Sequence, residues 1–254
     1  MTDSKLKIDI RRQKILEILQ QEGKLSVAEL SRTMNTTPVT IRSDLTALEQ
    51  AGHLIRVQGG AVPAIKKRNA AAGAAANAQE KKQIAQRLAE MVKDGDTLFI
   101  NSGTTTEFVA SALEVRSNLN IVTNSLSVAT LLGEIPSFRV ILLGGEINAQ
   151  HGFTYGSDAL SQLEKYKADW AILSIDGIST TCGITTHHAE EAVIDRMMIA
   201  NAKQTWIVAD HTKVGNAGFA RVRDSLKDIG VVTVLSAAKQ MQPLQEKGIT
   251  VVYA

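Results

Sequence analysis

The 254-residue sequence predicts an α/β protein in two parts: a small helical N-terminal domain, and a larger domain with a doubly wound, mostly parallel sheet. From Glu80 onward, apolar runs of strand length alternate with segments of helical periodicity, which is typical of a parallel sheet covered on both faces. Residues 1–68 carry twelve Lys and Arg against seven Asp and Glu, whereas residues 69–254 carry sixteen against nineteen. A basic N-terminal part on a mildly acidic body indicates that the N-terminal part binds a polyanion.

The composition excludes several classes of protein. A single cysteine, Cys182, excludes an internal disulfide and a cysteine-based zinc site. No apolar run reaches the length of a membrane span, and residues 1–10 are too polar for a secretory signal. The pair His187-His188 is a poor metal site, because adjacent side chains diverge on a helix or a strand. We therefore expect a cytoplasmic protein without a membrane partner, a bound metal or a cofactor.

The N-terminal part is predicted to contain three helices and a hairpin. Apolar residues from Ile10 to Leu19 recur at helical spacing. Ser26 can cap a short second helix, and Thr37 can cap a third helix whose first residue is Pro38. Residues 53–60 have the pattern of a short hairpin. A short helix, a tight turn and a capped third helix form a helix-turn-helix arrangement.

The start of the third helix carries small polar residues that suit the edges of DNA bases. The hydroxyls of this helix start suit base edges in the major groove, and its Pro and Thr are compatible with a thymine methyl. Arg42 can pair with guanine or hold a phosphate. Ser26 can donate to a phosphate, and Arg56 in the hairpin can lie along the backbone or in the minor groove. The predicted DNA-binding residues are Ser26, Thr37, Pro38, Thr40, Arg42, Ser43 and Arg56. A three-helix fragment without a role in DNA binding is the alternative.

The motifs of this N-terminal part match a known family. They are Arg11, Ile15 and Leu19, then the run from Thr37 to Leu45, then the run from Gly52 to Ala61. These residues resemble the N-terminal motif of DeoR-family transcriptional regulators, which implies a winged helix-turn-helix. Ser43 departs from the motif, since that family usually has a second basic residue there. We expect Asp44 to pair with an arginine such as Arg11, because a carboxylate facing DNA would repel phosphate.

The two parts are joined by an alanine-rich segment. Residues 69–78 have no apolar periodicity and no bulky side chain, which predicts a linker or a weakly packed helix. We predict a winged helix-turn-helix domain over residues 1–62, a linker over 63–79 and an α/β domain over 80–254.

Seven strands are predicted in the α/β domain. They are Thr97–Ile100, Asn120–Val122, Val140–Leu143, Trp170–Leu173, Thr205–Val208, Val231–Leu235 and Thr250–Val252. The predicted helices between them include Glu80–Val92, Glu107–Leu113, Leu126–Leu132 and Glu190–Ala202.

Polar residues with turn-forming character follow five of these strands directly. They are Asn101–Thr106, Thr123–Ser125, Gly144–Glu146, Asp176-Gly177 and Asp210–Lys213. Because the carboxyl ends of parallel strands lie on one edge of a sheet, we expect these stretches to converge there. Chance placement of polar loops is the alternative.

The chemistry of these loops predicts a phosphate-binding pocket. Gly103 lets the backbone approach a phosphate, and the threonines that follow place hydroxyl donors at the positive end of a helix dipole. Lys213 supplies a positive charge, whereas Asp176 and Glu191 can accept sugar hydroxyls. The predicted effector-binding residues are Ser102, Gly103, Thr104, Thr105, Thr106, Asn124, Ser125, Asp176, Glu191 and Lys213.

The α/β domain also matches that family. The matching stretches are Asn77–Lys81, "NSGTTT", "IVTNS", "VILLGGE", "SIDGI" and "VADHTKVG". They resemble the DeoR-family effector domain, which is similar in fold to ribose-5-phosphate isomerase and glucosamine-6-phosphate deaminase. The segment Ala70–Ala76 departs from the family, which usually has charged residues there.

The resemblance implies a transcriptional regulator, most often a repressor, of a carbohydrate-utilisation operon, with operator DNA and a phosphorylated sugar as partners. The alternative is a sugar-phosphate isomerase or deaminase with a DNA-binding appendage, in which Asp176 or Glu191 is the base and Lys213 the electrophile. Similarity of fold does not confer chemistry, and a dedicated DNA-binding domain favours regulation over catalysis. We expect a homodimer or homotetramer, since a symmetric pair of domains reaches two half-sites on DNA.

Overall fold

The computed structural model describes residues 11–12, 14–16, 18–19, 24–50, 54–57, 59–63 and 77–254. The chain divides into two compact units, Met1–Asn69 and Ala70–Ala254. Most of the predicted linker, residues 64–76, lies outside the described residues. Within the described ranges, no helix has both the length and the apolar character needed to cross a membrane.

The N-terminal unit contains the three predicted helices and a hairpin whose second strand runs to Pro63, beyond the predicted range of 53–60. Its elements are α1 (helical residues 11–12, 14–16 and 18–19), β1 (Leu25–Ser26), α2 (Val27–Thr33), α3 (Pro38–Gln50), β2 (Leu54–Val57) and β3 (Gly60–Pro63). The strands form an antiparallel sheet in the order β1-β3-β2. Strand β1 was not predicted, because two residues give no recognisable period. A Cβ on Gly60 would lie 1.8 Å from the carbonyl oxygen of Leu25, so glycine permits this pairing.

Local hydrogen bonds set the helix starts in this unit. The Ser26 hydroxyl accepts from the backbone N–H of Ala28 at 3.2 Å, and Thr37 Oγ1 accepts from the N–H of Thr40 at 3.3 Å. Both predicted caps are thereby confirmed. The helices enclose a small apolar core that includes Ile15, Leu30, Ile41, Leu45 and Leu54.

Asp44 joins two of these helices. Its side chain is 3% exposed and pairs with Arg11 Nε at 2.6 Å and Arg12 Nε at 3.0 Å. The predicted pairing with Arg11 is confirmed, and a second arginine of α1 takes part. Since Asp44 lies on α3, this ion pair fastens α1 to the helix that carries the predicted DNA-binding residues.

The C-terminal unit is an α/β domain built on a seven-stranded sheet. Its helices are α4 (Ala78–Met91), α5 (Thr104–Ala112), α6 (Leu126–Gly133), α7 (Ser157–Leu163), α8 (Ala189–Asn201) and α9 (Ala238–Gln245). The strands of the large sheet are β4 (Thr97–Ile100), β5 (Asn120–Thr123), β6 (Arg139–Leu142), β9 (Ala168–Ser174), β12 (Ala202–Val208), β14 (Ile229–Thr233) and β15 (Thr250–Tyr253). Their order is β15-β14-β12-β9-β4-β5-β6, and every neighbouring pair is parallel. All seven predicted strands, and the predicted fold class, are confirmed.

Five short strands were not predicted. They are β7 (Glu146–Asn148), β8 (Phe153–Tyr155), β10 (Gly177–Ser179), β11 (Gly183–Thr186) and β13 (Ala220–Arg223). They pair antiparallel outside the large sheet, as β7-β8 and as β10-β11-β13. Their glycines and polar residues look like loop sequence, and their length of three or four residues hides any alternation.

Helices cover both faces of the large sheet, as its alternating side chains require. Leu98 and Ile100 of β4 pack into the core that contains residues of α4, α5 and α6. Phe99 between them packs into the other core, which contains residues of α7, α8 and α9. Because all seven strands are parallel, their carboxyl ends meet at one edge, and the predicted convergence of the polar loops follows.

Candidate functional site

Asp176, in the loop after β9, lies at the centre of a hydrogen-bond network at this edge. Its Oδ1 is 3.2 Å from Lys213 Nζ, and its Oδ2 accepts from the backbone N–H of His187 at 2.8 Å. Burial acts to raise the pKa of Asp176, but the Lys213 ammonium and the His187 N–H outweigh it and lower that pKa. Asp176 is therefore a carboxylate that links the loop after β12 to the end of β11.

Glu191 on α8 extends this network towards the loop after β4. The Ser102 hydroxyl donates to Glu191 Oε1, and Thr186 Oγ1 lies 2.9 Å from Glu191 Oε2 and 3.1 Å from Asp176 Oδ2. Burial raises the pKa of Glu191, and the two hydroxyl groups oppose that rise only in part. Thr186 was not predicted as a site residue, because a threonine in a short polar run between Thr185 and His187 gives no signal of function.

Asp195, one turn along α8 from Glu191, completes a pair of buried carboxyl groups. Its Oδ1 accepts from Asn101 Nδ2 at 2.9 Å, and its buried Oδ2 has no hydrogen-bond partner among the described residues. Burial, and then the charge of Glu191, raise the pKa of Asp195 well above its ordinary value. The protonated acid is therefore favoured. The spacing of four residues from Glu191 on a predicted helix could have indicated Asp195, which was not among the predicted site residues.

Asn101 also holds the loops after β4 and β9 together. Its Oδ1 accepts from the N–H of Ser174 at 2.8 Å, and its Nδ2 donates to the carbonyl of Ser174 at 2.9 Å. A Cβ on Gly103 would lie 2.3 Å from the Cβ of Ser174, so glycine is required there for the packing of the two loops. The predicted role of Gly103, to let the backbone approach a phosphate, stays a prediction.

The three threonines at the start of α5 have different roles. Thr104 is half-buried, whereas Thr105 is 3% exposed and Thr106 is fully buried. Thr106 Oγ1 donates to the carbonyls of Asn101 and Gly103, both at 3.0 Å. Its hydroxyl thus holds the loop in shape in place of the predicted contact with a phosphate.

Asn124 and Ser125 follow β5 and are both fully buried. Asn124 Nδ2 donates to the carbonyl of Thr154 at 3.2 Å, and the Ser125 hydroxyl caps α6 by accepting from Val128 N at 3.3 Å. Among the described residues, no hydrogen bond or ion pair joins them to the Asp176–Glu191 network. The structure therefore does not bring these two predicted residues into that network.

Three aromatic rings connect the loop that carries Asn124 and Ser125 to the start of α8. His188, directly before α8, has its ring centroid 4.2 Å from that of His151 and 5.7 Å from that of Phe153. Phe153 begins β8 and bridges to Ser125, so the ring cluster connects the Asn124–Ser125 loop to the start of α8. These rings were not predicted to be near the site, because their contacts depend on the unpredicted β7-β8 hairpin.

The turn that carries Lys213 is also attached to the start of α4. His211 Nδ1 is 2.8 Å from Glu80 Oε2, and Asp210 Oδ2 is 3.8 Å from Lys81 Nζ. Asp210, His211 and Glu80 place potential metal ligands within 4.8 Å of one another. The buried Lys81 ammonium already supplies a positive charge there, so we interpret the group as an ion-pair network.

A surface cavity at the opposite edge of the sheet is lined by charged residues that satisfy each other. It lies near Thr97, and its Lys203 pairs with Asp169 at 2.8 Å. The carboxylate of Asp169 also accepts from the N–H of Thr97 at 2.9 Å. This cavity lies away from the converging loops, and its chemistry does not indicate a binding site.

In the N-terminal unit, α3 presents an outward face with polar side chains. Arg42 and Ser43 are exposed, and Thr37 Oγ1 lies 2.9 Å from Thr40 Oγ1. Arg56 of β2 donates to Thr46 Oγ1 at 2.9 Å, so the arginine of the hairpin lies over this face of α3.

Residues 11–67 match the family model of the DeoR-like helix-turn-helix domain, and residues 76–234 match that of the DeoR C terminal sensor domain. The chain belongs to the DeoR family. It is 35% identical over 225 residues to the glycerol-3-phosphate regulon repressor of Escherichia coli K12, covering 88% of this chain and 86% of that protein. It is 32% identical over 208 residues to the transcriptional repressor GlcR of Bacillus subtilis, covering 81% and 80%.

Similarity to solved structures is more distant. The ribose 5-phosphate isomerase A of Methanocaldococcus jannaschii matches with a TM-score of 0.40 and 15% identity, over 54% of each chain. The full-length sorbitol operon regulator SorC of Klebsiella pneumoniae matches with a TM-score of 0.43 and 11% identity, over 95% of this chain and 100% of that chain.

Membership of the DeoR family decides between the two functions that the sequence left open. Both matched domains belong to DNA-binding regulators with a sensor domain, and the curated relatives named above are repressors. This DeoR-family protein is therefore a DNA-binding transcriptional regulator and not an isomerase or deaminase.

Proposed function

We propose that this regulator represses a carbohydrate-utilisation operon, and that a phosphorylated sugar bound at the carboxyl edge of the sheet controls its affinity for operator DNA. The observation that carries the proposal is the network around Asp176, which gathers Lys213, Ser102 and Glu191 from three different parts of the chain. The names of the relatives are consistent with it, since one represses a glycerol-3-phosphate regulon.

Each group in the network has a chemical role towards such a ligand. The Lys213 side chain, 32% exposed, offers a cation to the phosphate, and the nearby start of α5 offers backbone N–H groups and the positive end of its dipole. Asp176 and Glu191 accept sugar hydroxyls. Ser102 and Thr186 hold the carboxylate of Glu191 in place, so the ligand meets acceptors that are already oriented.

Control of DNA binding requires the ligand to favour one arrangement of the protein over another. A ligand shifts such an equilibrium only by its difference in affinity for the two states. A ligand that contacts the loops after several strands provides this difference in affinity, because it binds most tightly to the arrangement in which those loops lie closest together. We include a homodimer or homotetramer in the cytoplasm in this proposal, since two DNA-binding domains related by symmetry match two half-sites.

The test uses the full chain and an operator obtained by in vitro selection from random duplex DNA. Fluorescence anisotropy then measures operator affinity in the presence of phosphorylated sugars and of their unphosphorylated forms. We expect one phosphorylated sugar to change operator affinity by about 5- to 150-fold, the range of typical allosteric coupling of about 1–3 kcal/mol. The matched unphosphorylated sugar should have no effect. An equal response to both forms would contradict the phosphate-binding role of the site.

The oligomer is tested separately by light scattering on the same protein, with and without operator. A dimer or tetramer at micromolar concentration supports the proposed arrangement. A monomer under both conditions would contradict it, without bearing on the choice of ligand.

A further inference from the structure

We propose that Val39 reads the 5-methyl group of a thymine in the major groove, and that it is a specificity-determining residue of the DNA-binding surface. The inference rests on α3 being the helix that enters the groove, which follows from the family. It does not depend on the effector or on the sheet-edge site.

Val39 is unusual among the aliphatic side chains of α3. It is 73% exposed, whereas Ile41, Leu45 and Leu48 are at most 5% exposed and form the inner face of the helix. Isolated exposed valines are common on protein surfaces, so exposure alone assigns no role. The position of Val39 in the helix supplies the argument.

The periodicity of α3 places Val39 in the middle of its outward face. Arg42, Ser43 and Thr46 follow it by three, four and seven residues, and these spacings put side chains on one side of an α-helix. In a helix-turn-helix domain the N-terminal residues of the second helix of the motif contact the base edges. Val39 is the second residue of α3 and therefore lies in the turn that reaches the bases.

Neighbouring side chains leave the methyl groups of Val39 uncovered. Ser43, on the next turn, is too short to extend over a valine. The hydroxyls of Thr37 and Thr40 lie 2.9 Å apart, and Thr37 also accepts from the N–H of Thr40, so these hydroxyls serve the helix cap. At the first turn of α3, Pro38 and Val39 therefore present an exposed hydrocarbon surface beside these hydroxyls.

The chemistry of the major groove leaves one good partner for that surface. Thymine alone among the four bases carries a methyl group there, and the other base edges present hydrogen-bond donors and acceptors. A valine placed against a cytosine amino group or a guanine carbonyl would remove water from it without replacing the hydrogen bond. Val39 therefore favours thymine at one position of each half-site and disfavours cytosine there.

The experiment removes the methyl group from the DNA and the valine from the protein. In vitro selection with the full chain should give a half-site with a constant thymine, and each constant thymine is replaced in turn by deoxyuridine. At one position the wild-type protein should lose about fourfold in affinity, which corresponds to about 0.8 kcal/mol for one buried methyl group. Val39→Ala should bind the thymine and deoxyuridine operators equally, and this cycle isolates the contact.

Val115→Ala is the matched control, because Val115 is 76% exposed and lies in the C-terminal unit. It should retain the full deoxyuridine effect. Alanine is compatible with the helix at position 39, and thermal unfolding of the Val39→Ala protein checks that the domain remains folded.

Four outcomes would overturn the inference. A selected half-site without a constant thymine would do so, as would equal affinity of the wild-type protein for every thymine and deoxyuridine pair. Retention of the deoxyuridine effect by Val39→Ala would show that another residue contacts the methyl group. Failure to select any sequence would overturn both this inference and sequence-specific DNA binding, whereas the first three leave that function intact.

Discussion

On the outward face of α3, which is predicted to bind DNA, Val39 is 73% exposed and Arg42 and Ser43 are exposed beside it, whereas at the sheet edge Glu191 is 7% and Asp195 0% exposed. The first group faces outward with few contacts inside the protein. The second group is bonded to other parts of the chain before any ligand is considered. A substitution on the outward face of α3 should therefore change DNA binding with little effect on stability, whereas a substitution at the sheet edge should change both.

Asp44 is the exception within the N-terminal unit, and it gives the largest expected effect. Asp44→Ala leaves Arg11 and Arg12 without the buried carboxylate that joins α1 to α3. We expect the free energy of unfolding of this unit to fall by about 3 kcal/mol, at the low end for a broken buried pair because both arginines are partly hydrated. Thermal unfolding of the full chain should show the N-terminal unit melting earlier while the C-terminal unit is unchanged.

The exposed pair Arg221–Asp224, at 2.9 Å, provides the control for that prediction. Asp224→Ala should cost less than about 1 kcal/mol, as is usual for surface ion pairs. Equal losses for Asp44→Ala and Asp224→Ala would mean that burial of the first pair has no energetic consequence.

Lys213→Gln tests the sheet edge directly. The substitution removes the ammonium 3.2 Å from Asp176, and we expect the affinity for the phosphorylated effector to fall by about 10- to 100-fold, since hydrogen bonds to charged groups contribute about 1.5–3 kcal/mol. Calorimetry measures it, and Lys239→Gln, at an exposed position, should leave the affinity unchanged. Undiminished affinity in Lys213→Gln would remove this lysine from the binding site.

The buried carboxyl pair predicts a pH dependence of stability. The pKa values of Glu191 and Asp195 are raised in the folded protein from ordinary values of 4.5 and 3.8, so their stabilising contribution is complete below those values and is lost as the pH rises through the folded pKa values. The pKa of Asp176 is lowered, so its contribution is lost in the opposite direction, as the pH falls below 3.8. Because the pKa of Asp195 is raised well above its ordinary value, stability should fall as the pH rises above about 5, by up to about 1.4 kcal/mol per pH unit for each proton released.

Urea unfolding between about pH 5 and about pH 8 measures that slope. Asp195→Asn should flatten it, because the side chain then has no proton to release. Asp158→Asn, at an exposed position of α7, should leave the slope as it is. A stability that rises with pH over this range in the wild-type protein would contradict the assignment.

Ser26 gives the smallest expected effect and separates two roles of one side chain. Ser26→Ala removes the cap of α2 and should lower the free energy of unfolding by about 1 kcal/mol. Ser26→Asp keeps a capping oxygen but adds a negative charge, so it should preserve stability and weaken binding to all DNA sequences alike if Ser26 contacts a phosphate. Unchanged DNA binding by Ser26→Asp would place this residue away from the DNA backbone.

The large sheet could be predicted because strands such as Thr97–Ile100 are short apolar runs bounded by polar loops. The short antiparallel strands could not, because residues such as Gly183 and Thr186 have no pattern that distinguishes a strand from a loop. Convergence of the polar loops followed from the parallel order alone. The hydrogen-bond partners within the site could not be predicted, since the bond between Ser102 and Glu191 joins residues 89 positions apart.

Single residues differ in the same way in how far their contacts could be predicted. The pairing of Asp44 could be predicted because an acid on a DNA-binding helix needs a partner away from the DNA. The inward position of the Thr106 hydroxyl could not be predicted, because it depends on how the loop after β4 folds back on Asn101. Val39 was not among the predicted DNA-binding residues because it has no polar group to mark it, although a Pro and a Thr at the start of the same helix were expected to suit a thymine methyl.

The bonds of Asn101 to Ser174 have a consequence for the order in which the protein folds. They close a loop of 73 residues, and β4 and β5 can pair across a much shorter one, so chain entropy favours formation of the β4–β6 half of the sheet first. Docking of β9 on β4 then brings Asn101, Ser102 and Gly103 against the loop after β9 and creates the sheet edge. A ligand that spans these two loops opposes their separation, so it lengthens the lifetime of the folded protein by slowing unfolding more than by speeding folding.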